Sequence, residues 1–153
     1  MDAETARQVM AVQGYTELGL FDVALEELGL IDQDLDIANI LRCDLFSRQS
    51  RWAEMGELAK RLARSDPDSP QWWISWAYAV RRLETIDAAR EILIEARKSH
   101  PKEPIIIYNL ACYASVSGEL EEARQLLDQA IALDKTCQEM AVKDSDLEAL
   151  FRD

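Results

Sequence analysis

The sequence contains few of the residues that interrupt helices or build reactive sites. Its 153 residues include five glycines, four prolines, three cysteines and one histidine. So little glycine and proline is typical of a helical domain and not of a loop-rich or disordered chain. The cysteines, at 43, 112 and 137, form no C-x-x-C motif, and their odd number favours reduced thiols over a disulfide framework.

Basic residues are also scarce. Seventeen Lys and Arg face 29 Asp and Glu, which gives a net charge of −12 and a pI of about 4.5. The average surface therefore repels nucleic acid and anionic membranes, and we expect a neutral or basic protein partner, although acidity can also serve solubility alone. No apolar run approaches the 18 residues of a membrane span, and the N-terminal MDAETARQVMAV lacks a secretory apolar core. We expect a cytoplasmic protein.

Motifs that support catalysis or cofactor binding are missing. The glycines are isolated, so there is no phosphate-binding loop, and no His and Cys pair has the spacing of metal ligands. His100 stands beside Pro101 at a predicted helix end, where it can interact with the helix dipole. The sequence therefore predicts no enzyme, no metal and no cofactor.

The chain repeats itself with a period of 34 residues. Residues 70–101 align without a gap on residues 104–135, so that small and bulky apolar positions recur in register. Each copy contains two apolar-periodic stretches, which predict helices over about 70–83 and 86–99, and over about 104–117 and 120–133. Ser69 and Pro70 are a favourable helix start, and Gly118 suits the left-handed turn between the second pair of helices.

This pattern resembles the tetratricopeptide repeat (TPR). The matching positions are Trp73, Trp76, Ala77, Ala89, Leu93, Ala96 and Pro101 in one copy, and Ile107, Leu110, Ala111, Gly118, Ala123, Leu127 and Ala130 in the next. The helix A tyrosine of the family is replaced by Val80 and Ala114. The resemblance implies an all-α, right-handed superhelical solenoid of helix–turn–helix repeats.

Weaker copies precede these two, and a cap follows them. We predict a single domain over 1–153, with a shortened repeat at 5–31, repeats at 36–67, 70–101 and 104–135, and a C-terminal cap at 136–153. The strict register of 36–67 would bury Asn39 and Arg42. A shift by one residue buries Ala38, Leu41 and Leu45 instead, and we prefer it. Helices at 136–143 and 145–151 would form the cap that a solenoid needs at its end.

Three tryptophans lie within five residues. Trp73 and Trp76 fall on the predicted core face of their helix. Trp72 is the additional one. It either packs on the preceding repeat near Leu62 and Pro67, or it is an exposed anchor for a partner or a second copy.

The resemblance places the binding surface on the concave side, along one stripe of each first helix. The residues that it assigns to a partner-binding groove are Arg48, Ile74, Tyr78, Arg81, Arg82, Tyr108, Asn109 and Cys112. Tyrosine and arginine together suit a peptide that carries a carboxylate. At the positions where some family members grip a C-terminal carboxylate with Lys and Asn, only Asn109 matches, which argues against that specific clamp.

The sequence therefore predicts a module that binds an extended peptide or helix of another protein. The alternative is a self-associating structural protein, a homodimer formed through Trp72 or through the N-terminal repeat.

Overall fold

Helices follow one another along the whole described chain. The computed structural model describes residues 1–152, which contain nine α-helices, one 3₁₀ helix and no strand. The elements are α1 (Ala3–Glu17), α2 (Phe21–Leu28), α3 (Asp36–Arg48), α4 (Trp52–Ser65), α5 (Pro70–Leu83), α6 (Ile86–Ser99), α7 (Pro104–Val116), α8 (Leu120–Leu133), α9 (Thr136–Lys143) and the 3₁₀ helix (Ser145–Phe151). Each helix packs on the next, which builds the predicted solenoid of helix pairs.

The helix ends have local causes. Pro70 and Pro104 occupy the first positions of α5 and α7, where a missing N–H costs nothing. The Thr85 hydroxyl accepts the Ala88 N–H at 3.1 Å and so caps the start of α6. Gly118 has a φ of 84°, which glycine adopts without strain, and it turns the chain from α7 into α8.

The helix α3 has the shifted register. Ala38, Leu41 and Leu45 are buried against the first helix pair, as preferred from the sequence. Asn39 is buried as well, at 8% exposure, and its side-chain amide donates to the Gln33 carbonyl at 3.3 Å. Because α3 turns its apolar face towards α1 and α2, it presents a partly polar side to the repeats that follow.

The apolar core is divided at α3. One cluster joins α1 and α2 to α3, and a larger one extends from Cys43 and α4 to the C-terminal cap. The helices α3 and α5 pack little on each other, and a cavity of about 320 Å³ lies between them. This cavity opens on the side of the solenoid that the first helices line.

The helices α4 and α5 pack closely because a glycine faces an alanine. A Cβ atom added at Gly56 would lie 3.3 Å from the Ala79 Cβ. We expect Gly56→Leu to lower the free energy of unfolding by about 1–3 kcal/mol through overpacking. The control is Gly14→Leu in α1, where nothing lies within 4 Å; there the gain in helix propensity predicts no loss. Equal losses in urea denaturation would contradict this packing.

The three clustered tryptophans have different environments. Trp72 is only 2% exposed, so the alternative of an exposed Trp72 at a dimer contact is wrong; the ring fills the space between α3, α4 and α5. Trp73 is buried, and its indole N–H donates to the Pro67 carbonyl at 3.2 Å. Trp76 packs against the core but is only half-buried, and not fully in the core as predicted. Lys60 and Arg64 of α4 lie over its ring.

Candidate functional site

Part of the predicted concave stripe is covered by the chain itself. Residues 144–151, here called the closing segment, fold back across α7. Tyr108 and Cys112 lie beneath it and are 4% and 2% exposed. The Tyr108 hydroxyl donates to Asp144 Oδ2 at 2.8 Å, and the Cys112 thiol donates to the same oxygen at 3.6 Å. These two predicted groove residues therefore contact the chain itself.

The closing segment is also held from α5. Both terminal nitrogens of Arg81 donate to the Asp146 carboxylate, at 2.6 and 2.9 Å, and both side chains are mostly shielded from water. Leu147 and Leu150 join the main core, with exposures of 0% and 5%. The closing segment is thus part of the packed solenoid, and the ion pair of Arg81 with Asp146 holds it against α5.

The Cys112 thiol and the Tyr108 hydroxyl beneath the closing segment are poor nucleophiles. Burial, and then the charge of Asp144, raises the pKa of the Cys112 thiol, and burial together with the hydrogen bond to Asp144 raises the pKa of the Tyr108 hydroxyl. Possible ligand atoms of Cys112, Asp144 and Asp146 lie within 4.8 Å of one another. A cation there would have to compete with Arg81, which already takes both oxygens of Asp146. The arrangement favours a structural role.

The thiols give a test of this burial. All three cysteines are buried and none is in a disulfide, and burial raises the pKa of Cys43 from 9.0 to about 11. At pH 8 the fraction of Cys43 present as thiolate is then about a hundredfold lower than for a thiol with a pKa of 9.0. We expect a thiol-specific dye to label native protein at least a hundredfold more slowly than protein in 6 M guanidinium chloride, where three thiols react. Rapid labelling of one thiol in the native protein would contradict the packing.

Two adjacent arginines make a matched comparison. We expect Arg81→Ala to lower the free energy of unfolding by about 1–3 kcal/mol, since it leaves the shielded Asp146 without its partner. Arg82 is exposed and forms no ion pair among residues 1–152, so Arg82→Ala should cost less than about 0.5 kcal/mol. Urea denaturation of both variants measures the difference. Equal decreases in the free energy of unfolding would contradict a stabilising role of the Arg81–Asp146 ion pair.

The rest of the stripe is open to solvent. Tyr78 is 36% exposed, and its ring packs edge-on against Trp52 with centroids 5.6 Å apart. The Arg82 guanidinium lies 5.0 Å from the centre of the same Trp52 ring. Trp52, the first residue of α4, therefore positions both side chains, and sequence reasoning missed this role. We call this region the open concave surface; it comprises Ile40, Ser47, Arg48, Gln71, Ile74, Ser75, Tyr78 and Arg82.

The remaining predicted site residues lie at the edges. Ile74 is half-buried against the main core. Arg48 forms an exposed ion pair with Asp44 at 2.9 Å. The Asn109 amide donates to the Ile105 carbonyl of its own helix at 2.8 Å, so it is directed along α7. The structure brings Tyr78 and Arg82 together on Trp52, and Arg48 is paired with Asp44 of its own helix.

Residues 1–152 contain no helix that is both long and apolar enough to cross a bilayer. No family model and no curated protein matches the chain. A solved structure titled "MamA MSR-1 C2" has a similar fold, with a TM-score of 0.55 and 14% identity over 98% of this chain and 92% of that one. At this identity the likeness concerns the fold alone. Together with the helix pairs described above, it confirms a TPR-like helical-repeat solenoid with a C-terminal cap.

Proposed function

We propose that this protein is an interaction module whose open concave surface binds a segment of another protein. The observation that carries the proposal is the exposed, preorganised group of Tyr78 and Arg82 on Trp52, beside a cavity in the concave side. Aromatic and arginine side chains held in place lose little entropy on binding and are enriched among residues that dominate binding energy.

The test is affinity capture from a lysate of the source cells with three baits. The first is the wild type, and the second is Tyr78→Ala/Arg82→Glu. The third is Ile94→Ala/Lys98→Glu on α6, which likewise replaces a large side chain with alanine and a basic one with glutamate, at exposed positions outside the concave side. Tyr108 and Arg81 are left unchanged because their replacement would disturb the closing segment.

A protein retained by the wild type and the α6 variant, and lost by the Tyr78/Arg82 variant, is the expected result. Circular dichroism must first show equal helicity of the three baits. The proposal fails if the Tyr78/Arg82 variant retains every protein that the wild type retains. Binding would then have to use another face.

Self-association is a second candidate, favoured by exposed apolar side chains on α1 and in the turns that follow α1 and α2. Met10, Leu18 and Leu30 are 70%, 74% and 66% exposed. Light scattering decides this: a mass of 17.4 kDa is that of the monomer. A doubled mass that Leu18→Asp/Leu30→Asp reverses would support a homodimer through the N-terminal repeat, and a monomer at all concentrations would exclude it.

A further inference from the structure

We infer that the open concave surface takes a protein segment that carries one bulky apolar side chain and, about three residues away, a carboxylate. The apolar side chain enters the cavity between α3 and α5, and the carboxylate pairs with Arg82. This inference names the ligand class of the module and so rests on the proposed function.

The cavity is suited to a single apolar side chain. Cys43, Met55 and Trp72 form its apolar part together with Ile40, and Ser47, Gln71 and Ser75 place polar groups around it. Its volume of about 320 Å³ lies at the lower end of the range for ligand pockets, about 300–1,000 Å³. The one charged lining residue, Asp44, is paired with Arg48 at 2.9 Å.

The cavity exists because α3 departs from the repeat. The buried apolar residues Ala38, Leu41 and Leu45 of α3 pack towards α1 and α2. The side of α3 that lines the cavity opposite α5 carries Ile40, Cys43, Asp44 and Ser47 instead of a continuous apolar stripe. Trp72 of α5 is then left to fill the gap beside α3 and fills it incompletely. A departure from the local pattern that leaves a lined opening is where a functional site is expected.

The charge distribution favours a carboxylate. Residues 42–82 contain eight Lys and Arg and five Asp and Glu. Residues 1–41 contain one basic residue and nine acidic ones. The segment 42–82 therefore has a net charge of +3 (eight minus five), although the whole chain is acidic. Arg82 is exposed and has no carboxylate within 4 Å among the described residues. Its guanidinium is held over Trp52, so an incoming carboxylate would meet an oriented donor.

The closing segment shows the same chemistry within the chain. Asp146 binds Arg81, the immediate neighbour of Arg82, through two hydrogen bonds, and the next residue, Leu147, is fully buried. A carboxylate of the chain itself thus already binds to an arginine of α5. On the open part, Ser75 at the cavity and Arg82 are seven residues apart on α5, which corresponds to about 10 Å along a helix. An extended segment covers that distance in about three residues.

The test selects peptides without assuming a partner. A random 12-residue phage-display library is selected on the wild-type protein, and the most enriched peptide is made with a fluorescein label. Fluorescence anisotropy then gives its Kd for the wild type, Ser75→Trp, Arg82→Glu and the α6 control Ile94→Ala/Lys98→Glu. Ile40→Asp is a second change in the cavity, for use if Ser75→Trp alters the melting temperature.

We expect enriched peptides to share a bulky apolar residue and an acidic residue about three positions apart. Ser75→Trp and Arg82→Glu should each raise Kd at least tenfold, the control should leave it within twofold, and 0.5 M salt should reduce the Arg82→Glu effect. Enriched basic peptides, or peptides that still bind Ser75→Trp and Ile40→Asp, overturn the ligand class. Enrichment no greater than on an uncoated surface does the same. The proposed function itself fails only if lysate capture is also insensitive to Tyr78 and Arg82.

Discussion

Replacing Trp72 with alanine should lower the free energy of unfolding by about 3–5 kcal/mol, the cost of a large cavity in a packed core. Trp72 is 2% exposed and is among the largest fully buried side chains in the described structure. Trp72 lies where α3, α4 and α5 meet, so its replacement by alanine would leave a cavity between the three helices. Urea denaturation followed by circular dichroism measures the effect.

The control is Tyr78→Ala on the same helix, which should cost less than about 1 kcal/mol because that side chain is partly solvated. The two results together separate core from surface on α5. A decrease in the free energy of unfolding below 1 kcal/mol for Trp72→Ala would contradict its place in the core. A dimer that Trp72→Ala converts to monomer would instead support the hypothesis of an exposed anchor.

Leu147→Ala should destabilise the protein by about 2–5 kcal/mol, even though it lies only six residues before the end of the sequence. Its side chain is fully buried in the main core, and the same turn carries the carboxylates that bind Tyr108 and Arg81. Packing of Leu147 and Leu150 in the main core makes this segment sensitive to substitution. Equilibrium denaturation is again the measurement.

The matched change is Leu133→Ala at the end of α8, where the leucine is 46% exposed and the expected loss is under about 1 kcal/mol. If Leu147→Ala is as mild as Leu133→Ala, the closing segment is loosely attached. The concave side would then extend over α7, and Tyr108 and Cys112 would be available to a partner.

Periodicity made most of the fold predictable. A 34-residue repeat specifies both helices and the turn between them, because each helix must present its small and bulky residues to its neighbours at fixed intervals. That is why the ends of α6 and α8 fall where the apolar pattern ends. At α3 the strict pattern was misleading, and the better choice came from asking which face had enough apolar area to bury.

The candidate site was less predictable because part of it depends on contacts that no local pattern contains. Asp146 reaches Arg81 across 65 residues of sequence, and the closing segment lies outside the 34-residue period. The stripe on α5 and α7 therefore contained residues with opposite environments, such as Tyr78 and Tyr108. The role of Trp52 was hidden for the same reason, since its partners come from the neighbouring repeat.

Hydroxyl-radical footprinting of the two tyrosines tests the central claim most directly, first on the protein alone and then with the partner captured from lysate. We predict that Tyr78 is oxidised rapidly in the protein alone and becomes protected when the partner binds, while Tyr108 is protected in both states. Oxidation of Tyr108 as fast as that of Tyr78, or a Tyr78 rate that the partner leaves unchanged, would contradict the account.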